Sequence, residues 1–209
     1  MRTLLTYLRG WGLILDSSRS IDEKLKSCGN GEAYLIGSKV IVFNVGLAKC
    51  IFDASFIGKP VGVKKPKGTE EVNKPLELSL IEAYYLAEKG ILKIFKDGIE
   101  LSLEEFKTIC GTHLPEFEDL YRNYREFKDF GFTIRSALKY GTDFALYKKR
   151  PGLEHAPYLV KVLKYGQFIE PGDLISWGRL SHSVKKDLIL AITHQSGLIT
   201  YVALKWFKP

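Results

Sequence analysis

The spacing of apolar residues predicts short strands early in the chain and helices after them. Two early runs, "AYLIG" and "KVIVFNV", are short, apolar and rich in β-branched residues, which indicates strands. Three later stretches show helical spacing with helical end signals: "SLIEAYYLAEKG", "SLEEFKTICG" and "LPEFEDLYRNYREFKDFG". Ser79 and Ser102 each precede a glutamate by three positions, which is the spacing of a capping box. The predicted helices stop at Gly90, Gly111 and Gly131.

The pattern changes after Gly131, where strands predominate. "FTIRSAL", "DFALYKK" and "HAPYLVKVL" indicate strands, a helix begins near Asp173, and "KDLILAIT" and "LITYVALKW" form two more strands around "HQSG". We place a domain boundary near residue 114, which gives domains 1–114 and 115–209. The fold class is α/β (α+β), with a small mixed N-terminal domain. The segment "KKPKGTEEVNKP" is expected to be a polar surface loop.

Length and charge limit the classes of function. The 209 residues contain no apolar run near the roughly 20 residues of a membrane span, so no membrane role is expected. The start, "MRTLLTYLRGWGLIL", lacks a small-residue cleavage site and is expected to be mature protein. The net charge is +7, and residues 116–209 hold 15 Lys and Arg against 10 Asp and Glu. This excess fits a nucleic-acid partner and, equally, a solvated basic face.

The cysteines and histidines give no metal-binding pattern. Cys28, Cys50 and Cys110 are scattered and odd in number, which favours a reducing cytoplasm. The four histidines do not fall at ligand spacing with them, so no metal is expected. A phosphate-binding loop is also missing from the sequence, and no cofactor is predicted.

A metal-dependent nuclease pattern is an alternative that the sequence matches only loosely. Glu116 and the "EFK" of Glu126 to Lys128 resemble its acidic residue and carboxylate-x-Lys pair. Both fall within one predicted helix, whereas carboxylates that share a magnesium ion need to converge. We therefore interpret them as charges on a helix surface.

Two proton-transfer residues flank a predicted turn. Tyr147 ends one strand, His155 begins the next, and Pro151-Gly152 lies between them. Lys186 heads a later strand, and Arg179 lies on the helix before it. Taken singly, each residue type is more often structural or solvated than catalytic. The turn nevertheless predicts that Tyr147 and His155 lie near each other.

Three ordered motifs together resemble the archaeal tRNA-splicing endonucleases, also called tRNA-intron lyases. A D-F-x-x-Y strand runs from Asp143 to Tyr147, H-x-x-Y-L-V begins at His155, and R-x-x-x-S-V-K-K runs from Arg179 to Lys186. "GKPVGVKKP" and "LSLIEAYYLAEKG" resemble the N-terminal domain of that family. The resemblance covers most of the chain and implies a nuclease-like C-terminal domain, with a central mixed sheet flanked by helices.

The resemblance implies metal-independent cleavage of precursor tRNA at bulge–helix–bulge sites. Tyr147 would be the base for the 2′-hydroxyl, His155 the acid for the leaving 5′-oxygen, and Lys186 the cation beside the phosphorane. The products would be a 2′,3′-cyclic phosphate and a 5′-hydroxyl. We expect Lys186 and the basic run after Tyr147 to lower the pKa of that tyrosine. For RNA binding, the resemblance implies that Arg179 stacks on a flipped base, with Tyr201 as the second member of the clamp.

The resemblance also implies a partner. Homotetrameric relatives insert acidic residues from the last inter-strand loop into a neighbouring subunit, but here that loop is "HQSG" and no Asp or Glu follows Asp187. We therefore expect the catalytic subunit of a cytoplasmic heterotetramer with a paralogous structural subunit, with a homotetramer as the alternative. "LITYVALKW" is apolar on both faces and is either an oligomer interface or a central strand. Three other functions stay open: a non-catalytic structural subunit, an RNA-binding module and a metal-dependent DNA nuclease.

Overall fold

A computed structural model describes residues 15–63 and 73–204 of the chain. The expectations for the first 14 residues and for most of the polar loop, at 64–72, lie outside the described residues. By their contacts the residues divide into two compact units: Ser17–Tyr121 form one, and the chain from Arg122 onwards belongs to the other. Each unit has its own mixed β-sheet. The exact boundary near residue 114 stays a prediction.

The N-terminal unit is built on a six-stranded mixed sheet. Its strands are β1 (Gly31–Ile36), β2 (Lys39–Val42), β3 (Lys59–Pro60), β4 (Leu76–Leu78), β5 (Leu92–Lys96) and β6 (Ile99–Leu101). They lie in the order β3-β4-β2-β1-β5-β6, and β1 and β5 are parallel. Alternate side chains such as Ala33, Val40 and Val42 are fully buried, so one face of the sheet forms core. The two strands predicted first are confirmed as β1 and β2.

Among the described residues of this part of the chain, the structure has four helices: α1 (Leu15–Ser27), α2 (Val45–Ser55), α3 (Leu80–Glu88) and α4 (Leu103–His113). Both predicted capping boxes are confirmed, at Ser79 before α3 and at Ser102 before α4. The predicted stop at Gly111 is wrong, because α4 continues to His113. Gly111 does not adopt the left-handed conformation that ends a helix, and the Leu114 amide still donates to the carbonyl of Cys110 at 2.9 Å.

Two of the three cysteines form a disulfide. Cys28, just after α1, is joined to Cys50 in α2 across 22 positions of sequence. Cys110 is free and buried. The expectation of a reducing compartment therefore loses its basis in the cysteine pattern. Folding brings the two Cα atoms to 5.6 Å, within the range that a disulfide requires, and sequence spacing did not reveal this approach. The cytoplasmic location stays a prediction.

The C-terminal unit contains a five-stranded mixed sheet and a βαβ connection. After α5 (Phe117–Asp129) come β7 (Thr133–Ser136), a 3₁₀ turn (Leu138–Tyr140), β8 (Phe144–Tyr147), β9 (Tyr158–Lys164), α6 (Pro171–Ser183), β10 (Asp187–Thr193) and β11 (Ile199–Leu204). The order is β11-β10-β9-β8-β7, with β9 and β10 parallel and joined through α6. The α/β fold class and the predicted order of elements in this half are confirmed. No helix of the described residues is long and apolar enough to cross a membrane.

The two faces of this sheet carry different groups of side chains. On one face, the Tyr201 ring packs against Phe127 of α5, with ring centroids 5.4 Å apart, and Tyr201 pairs with Ala191 across the strands. On the other face, Trp177 of α6 and Tyr147 pack against a buried apolar cluster. The members of this cluster are Ala137, Ala145, Ala156, Leu159, Leu163, Leu188 and Leu190. Tyr147 and Tyr201 therefore lie on opposite faces of the sheet.

The loose nuclease pattern lies on α5, but not wholly on its surface. Glu116 immediately precedes the helix, and Glu126 and Lys128 lie within it. The interpretation of these charges as surface residues is wrong for the last two. Lys128 is only 2% exposed, and burial raises the pKa of the Glu126 carboxyl. Among the residues that the structure describes, no three His, Cys, Asp or Glu side chains group closely enough to hold a metal ion.

Candidate active site

Three strand ends meet at one edge of the C-terminal sheet. Leu146 of β8 pairs with Tyr158 of β9, and Tyr158 pairs with Asp187 of β10. Strand β8 therefore ends where β9 and β10 begin. Tyr147 is the last residue of β8, and Lys186 directly precedes β10. The register alone brings both residues to the edge where the segment before β9 arrives.

Lys186 contacts that segment directly. Its Nζ donates a hydrogen bond of 2.6 Å to the carbonyl oxygen of Ala156, the residue after His155. The next amide, that of Asp187, donates to the carbonyl of Pro157 at 3.0 Å. These two bonds hold Lys186 against the segment that carries His155, with its Nζ bonded to the residue that directly follows His155. The structure thus brings the backbone of the predicted acid and the predicted cation together.

The end of α6 sets the backbone position of Lys186. The Lys185 amide donates to the carbonyl of His182 at 3.1 Å, and the Lys186 amide donates to that of Ser181 at 2.9 Å. This pair of bonds is a Schellman motif, in which the residue after the cap adopts the left-handed conformation. Lys185 does so with φ of 54°, although it has a Cβ atom and glycine is preferred there.

The loop between β8 and β9 is closed by its own hydrogen bonds. The Glu154 carboxylate accepts a bond from the Lys149 amide, and the Leu153 amide donates to the carbonyl of Arg150 at 3.1 Å. Gly152 has φ of 98°, which only glycine adopts readily. The predicted turn is confirmed. The turn leaves the His155 side chain exposed, next to Glu154, whose carboxylate is bonded to the Lys149 amide.

Tyr147 is half-buried, and its surroundings keep it protonated. Burial raises the pKa of its phenol above the ordinary value, and the neighbouring Tyr140 raises it further. Arg135 and Lys139 oppose this rise, but burial outweighs them. We expected Lys186 and the basic run after Tyr147 to lower the pKa of this tyrosine. That expectation is wrong, because the pKa is raised and the cations that act to lower it are Arg135 and Lys139. The opposing cations come from β7 and from the 3₁₀ turn.

Asp143 at the head of the D-F-x-x-Y motif is a structural residue. Its carboxylate accepts bonds from the Val162 amide at 2.7 Å and from the Lys161 ammonium at 3.2 Å. Its own amide donates to the carbonyl of Val160 at 2.9 Å. These bonds lock the start of β8 onto β9. They set the register that brings Tyr147 to the site edge.

The two predicted RNA-binding residues lie in different environments. Arg179 is exposed on α6, the helix that packs on the same face as Tyr147. Tyr201 is on the opposite face, where its hydroxyl is buried beside the Glu126 carboxyl and its pKa is strongly raised by burial. The structure does not bring Tyr201 together with the other site residues of the same chain.

Comparison with known proteins gives the family. Residues 117–201 match the description "tRNA intron endonuclease, catalytic C-terminal domain", and residues 31–107 match "tRNA intron endonuclease, N-terminal domain". The chain belongs to this family. Similar relatives named tRNA-splicing endonuclease come from Hyperthermus butylicus (44% identical), Saccharolobus islandicus (43%) and Saccharolobus solfataricus (42%). Each match covers 85% of this chain and 98% of the relative.

The matches confirm the predicted family, and with it the expectation of an endonuclease of tRNA introns. In this tRNA intron endonuclease chain, the structure also places near Tyr147 residues that sequence reasoning missed. Arg135, Lys139 and Tyr140 are close enough to Tyr147 to influence its pKa. Their signal was readable, since "FTIRSALKYG" carries two cations and a tyrosine just before the D-F-x-x-Y motif. The left-handed Lys185 gave no signal, because glycine is the usual residue at that position.

Proposed function

We propose that this chain is the catalytic subunit of a tRNA-splicing endonuclease that cuts precursor tRNA at bulge–helix–bulge sites. The meeting of Tyr147, the His155 segment and Lys186 at one sheet edge carries the proposal, and the bond from Lys186 to Ala156 is its firmest contact. A base, an acid and a cation at one edge are the groups that cleavage by the 2′-hydroxyl of RNA requires.

The reaction needs no nucleophile from the protein. The 2′-oxygen forms a bond to phosphorus, and the bond from phosphorus to the 5′-oxygen breaks. His155 donates a proton to the leaving 5′-oxygen, and Tyr147 receives the proton of the 2′-hydroxyl. The products are a 2′,3′-cyclic phosphate and a 5′-hydroxyl. Neither His155 nor Tyr147 requires a metal ion for this transfer, and the proposal is of metal-independent cleavage.

Tyr147 works in this scheme through a small ionised fraction. Even at the ordinary tyrosine pKa of about 10, roughly one phenol in a thousand is ionised at pH 7. The raised pKa of Tyr147 makes that fraction smaller still. The neutral phenol spends most of its time as a hydrogen-bonding partner that orients the 2′-hydroxyl. Proton removal by the phenolate then becomes faster as pH rises.

Lys186 supplies positive charge where the phosphorane develops its negative charge. Its ammonium has three N–H groups, and one of them donates a hydrogen bond to the Ala156 carbonyl. The two others are directed away from that carbonyl and can bind phosphate oxygens. Because the head group is held in place before RNA binds, little reorganisation is needed during the reaction.

The proposed assembly is a heterotetramer with a paralogous structural subunit. No Asp or Glu follows Asp187, so the β10–β11 turn has no acidic side chain to insert into a neighbour. A homotetramer with a different contact is the alternative. Within the assembly Arg179 stacks on a flipped base, which its exposure on α6 supports. For Tyr201 to stack as well, its ring would have to leave Phe127.

The test is cleavage of a bulge–helix–bulge RNA in excess EDTA, beside the same RNA with 2′-deoxyribose at the scissile position. We expect cutting of the all-ribose RNA alone, with cyclic phosphate ends, once a structural subunit is present. Cutting of the deoxy substrate, or dependence on added Mg²⁺, would favour a metal-dependent nuclease. Binding without cutting in the assembled complex would favour a structural subunit or an RNA-binding module.

A further inference from the structure

The side of Tyr147 that faces β7 carries a second group of cationic and aromatic residues. Arg135 of β7 pairs with Ala145 of β8, two residues before Tyr147 on the same strand. Directly paired residues point to one face of a sheet, and so do residues two apart along a strand. Arg135 therefore lies on the face of Tyr147. In the strand order, β7 is on the opposite side of β8 from β9 and β10.

The 3₁₀ turn after β7 completes this group. The Lys139 ammonium lies 4.6 Å from the centroid of the Tyr140 ring, and Tyr140 packs on the same apolar cluster as Tyr147. The turn is held firmly, because the Tyr140 amide donates to the carbonyl of Ala137 at 2.7 Å and the Ala137 amide donates to that of Asp143 at 3.0 Å. The turn joins the end of β7 to the start of β8, at the other end of that strand from Tyr147, and Lys139 is still close enough for its charge to act on the pKa of Tyr147.

The turn also presents surface of the kind that RNA contacts. Leu138 is 75% exposed, and the neighbouring Lys139 is exposed as well. Within the part of the chain that the structure describes, no carboxylate lies within ion-pair distance of Lys139. A lysine and an aromatic ring beside an exposed apolar side chain match the phosphate and the base or ribose of a nucleotide.

The direction of the RNA strand follows from the proposed roles of the site residues, on which this inference rests. His155 and Lys186 serve the leaving 5′-oxygen and the scissile phosphate, and they enter from β9 and β10. Tyr147 serves the nucleotide that carries the attacking 2′-hydroxyl. The strand therefore passes from the β9 side, over Tyr147, towards β7. The next phosphate in that direction lies on the 5′ side of the attacking nucleotide.

We propose that Arg135, Lys139 and Tyr140 form a subsite for the phosphate on the 5′ side of the nucleotide that carries the attacking 2′-hydroxyl. Arg135 and Lys139 bind the phosphate oxygens, and the Tyr140 ring contacts the sugar or base. Cations on both sides of Tyr147 hold the RNA backbone at two successive phosphates. This orients the 2′-hydroxyl between them.

The test measures RNA binding by the assembled enzyme as a function of KCl, with the uncleavable 2′-deoxy RNA as probe. Removing one cation that binds a phosphate lowers the slope of log K against log salt by about 0.7 for single-stranded RNA. We expect this decrease in Lys139→Ala and its rescue in Lys139→Arg. Lys164→Ala is the matched control, since Lys164 lies on the sheet face of Tyr201, opposite to that of Tyr147, and its loss is expected to leave the slope unchanged.

A modified RNA identifies the phosphate. A neutral methylphosphonate at the linkage on the 5′ side of the attacking nucleotide is expected to weaken binding by the wild-type enzyme. It should have little further effect in Lys139→Ala, because the two changes remove the same interaction. An equal penalty in both proteins would overturn the subsite. Arg135→Ala, where it folds, is expected to behave as Lys139→Ala does.

The subsite and the proposed function fail in different ways. If Lys139→Ala keeps the full salt slope while His155→Ala binds RNA without cutting it, the subsite is wrong and the proposed function stands. If the wild-type assembly cuts no bulge–helix–bulge RNA, the proposed function itself is wrong. A cleavage rate at saturating RNA that changes less than the affinity in Lys139→Ala is expected for a binding role.

Discussion

The ammonium of Lys186 donates a 2.6 Å hydrogen bond to the carbonyl oxygen of Ala156, directly after His155. This bond joins two chain segments 30 positions apart, and each segment carries one of the proposed catalytic residues. The lysine is itself placed by the Schellman motif at the end of α6. Lys186 is therefore held both at its backbone and at its ammonium group, and a cation held in this way is suited to stabilising charge during a reaction.

Lys186→Ala is expected to slow single-turnover cleavage by about 10²–10³-fold, the loss typical of one preorganised electrostatic group. RNA affinity should fall much less, because Lys186 acts mainly on charge that develops in the transition state. Rapid mixing with labelled RNA measures the rate, and binding to the 2′-deoxy RNA measures the affinity. Lys164→Ala is the control for loss of charge. An unchanged cleavage rate in Lys186→Ala would remove this residue from the site.

The pH dependence of cleavage tests the role of Tyr147. Its pKa is raised above 10, so the phenolate fraction grows about tenfold per pH unit throughout the neutral and mildly alkaline range. We expect the alkaline rise in wild-type rate to continue beyond pH 9, and to disappear in Tyr147→Phe with a loss of about 10²–10⁴-fold. Tyr165→Phe, which removes the hydroxyl of an exposed tyrosine after β9, is the control.

A plateau below pH 9 in the wild-type enzyme would contradict this prediction. It would mean that Tyr147 only orients the 2′-hydroxyl and that another group takes the proton. Tyr147→Phe would then lower the rate without changing the shape of the pH profile.

Local signals in the sequence predicted much of the fold. The capping boxes at Ser79 and Ser102 need only residues three positions apart, and both form. Helix α2 was missed because its signals are weak. Asn44 caps it without a glutamate three residues later, and it ends at Phe56 in the left-handed conformation instead of at a glycine. The Asp97-Gly98 turn between β5 and β6 was also missed, although this dipeptide is a readable hairpin signal.

The sequence predicted which segments meet at the sheet edge, but not the environment of the side chains there. The turn and the strand order bring Tyr147 and the His155 segment together, as the sequence indicated. The sign of the pKa shift at Tyr147 depends on how deeply the apolar cluster buries its ring, and the sequence does not contain that depth. Tyr201 illustrates the same limit. Its strand position was predicted, but its place on the α5 face depends on the register of β11 against β10.

Replacing Lys185 tests the strain beside the site. A non-glycine residue in the left-handed conformation costs about 1–2 kcal/mol. Glycine removes that cost but loses about 0.5–1 kcal/mol through the flexibility of the unfolded chain. We expect Lys185→Gly to raise the free energy of unfolding by up to about 1.5 kcal/mol, and Lys185→Ala, which keeps the Cβ atom, to give no gain. Urea unfolding measures both. A destabilised glycine variant would show that the Lys185 side chain makes a stabilising contact.

The free cysteine predicts how stability changes at high pH. Burial raises the pKa of Cys110 to about 12, against about 8.5 in an unfolded chain. The folded state therefore holds this proton more tightly, and its contribution is complete below the unfolded value. Stability falls as pH rises from about 8.5 towards about 12, at up to about 1.4 kcal/mol per pH unit. Urea unfolding at pH 7 and pH 10 should show a smaller decline in Cys110→Ala, and an equal decline would contradict the assignment.

The disulfide between Cys28 and Cys50 is expected to stabilise the N-terminal unit and not the active site. Closing a loop of 22 positions restricts the unfolded chain by about 3 kcal/mol in the loop-entropy model. The paired variant Cys28→Ser with Cys50→Ser should therefore unfold at lower temperature than the wild type, and a reductant should lower the wild-type midpoint to the same value. Single-turnover cleavage well below that midpoint should be unchanged, because both cysteines belong to the other compact unit. Cys110→Ala under the same reductant controls for the free thiol. Midpoints that do not respond to the reductant would show that the bond does not form in solution.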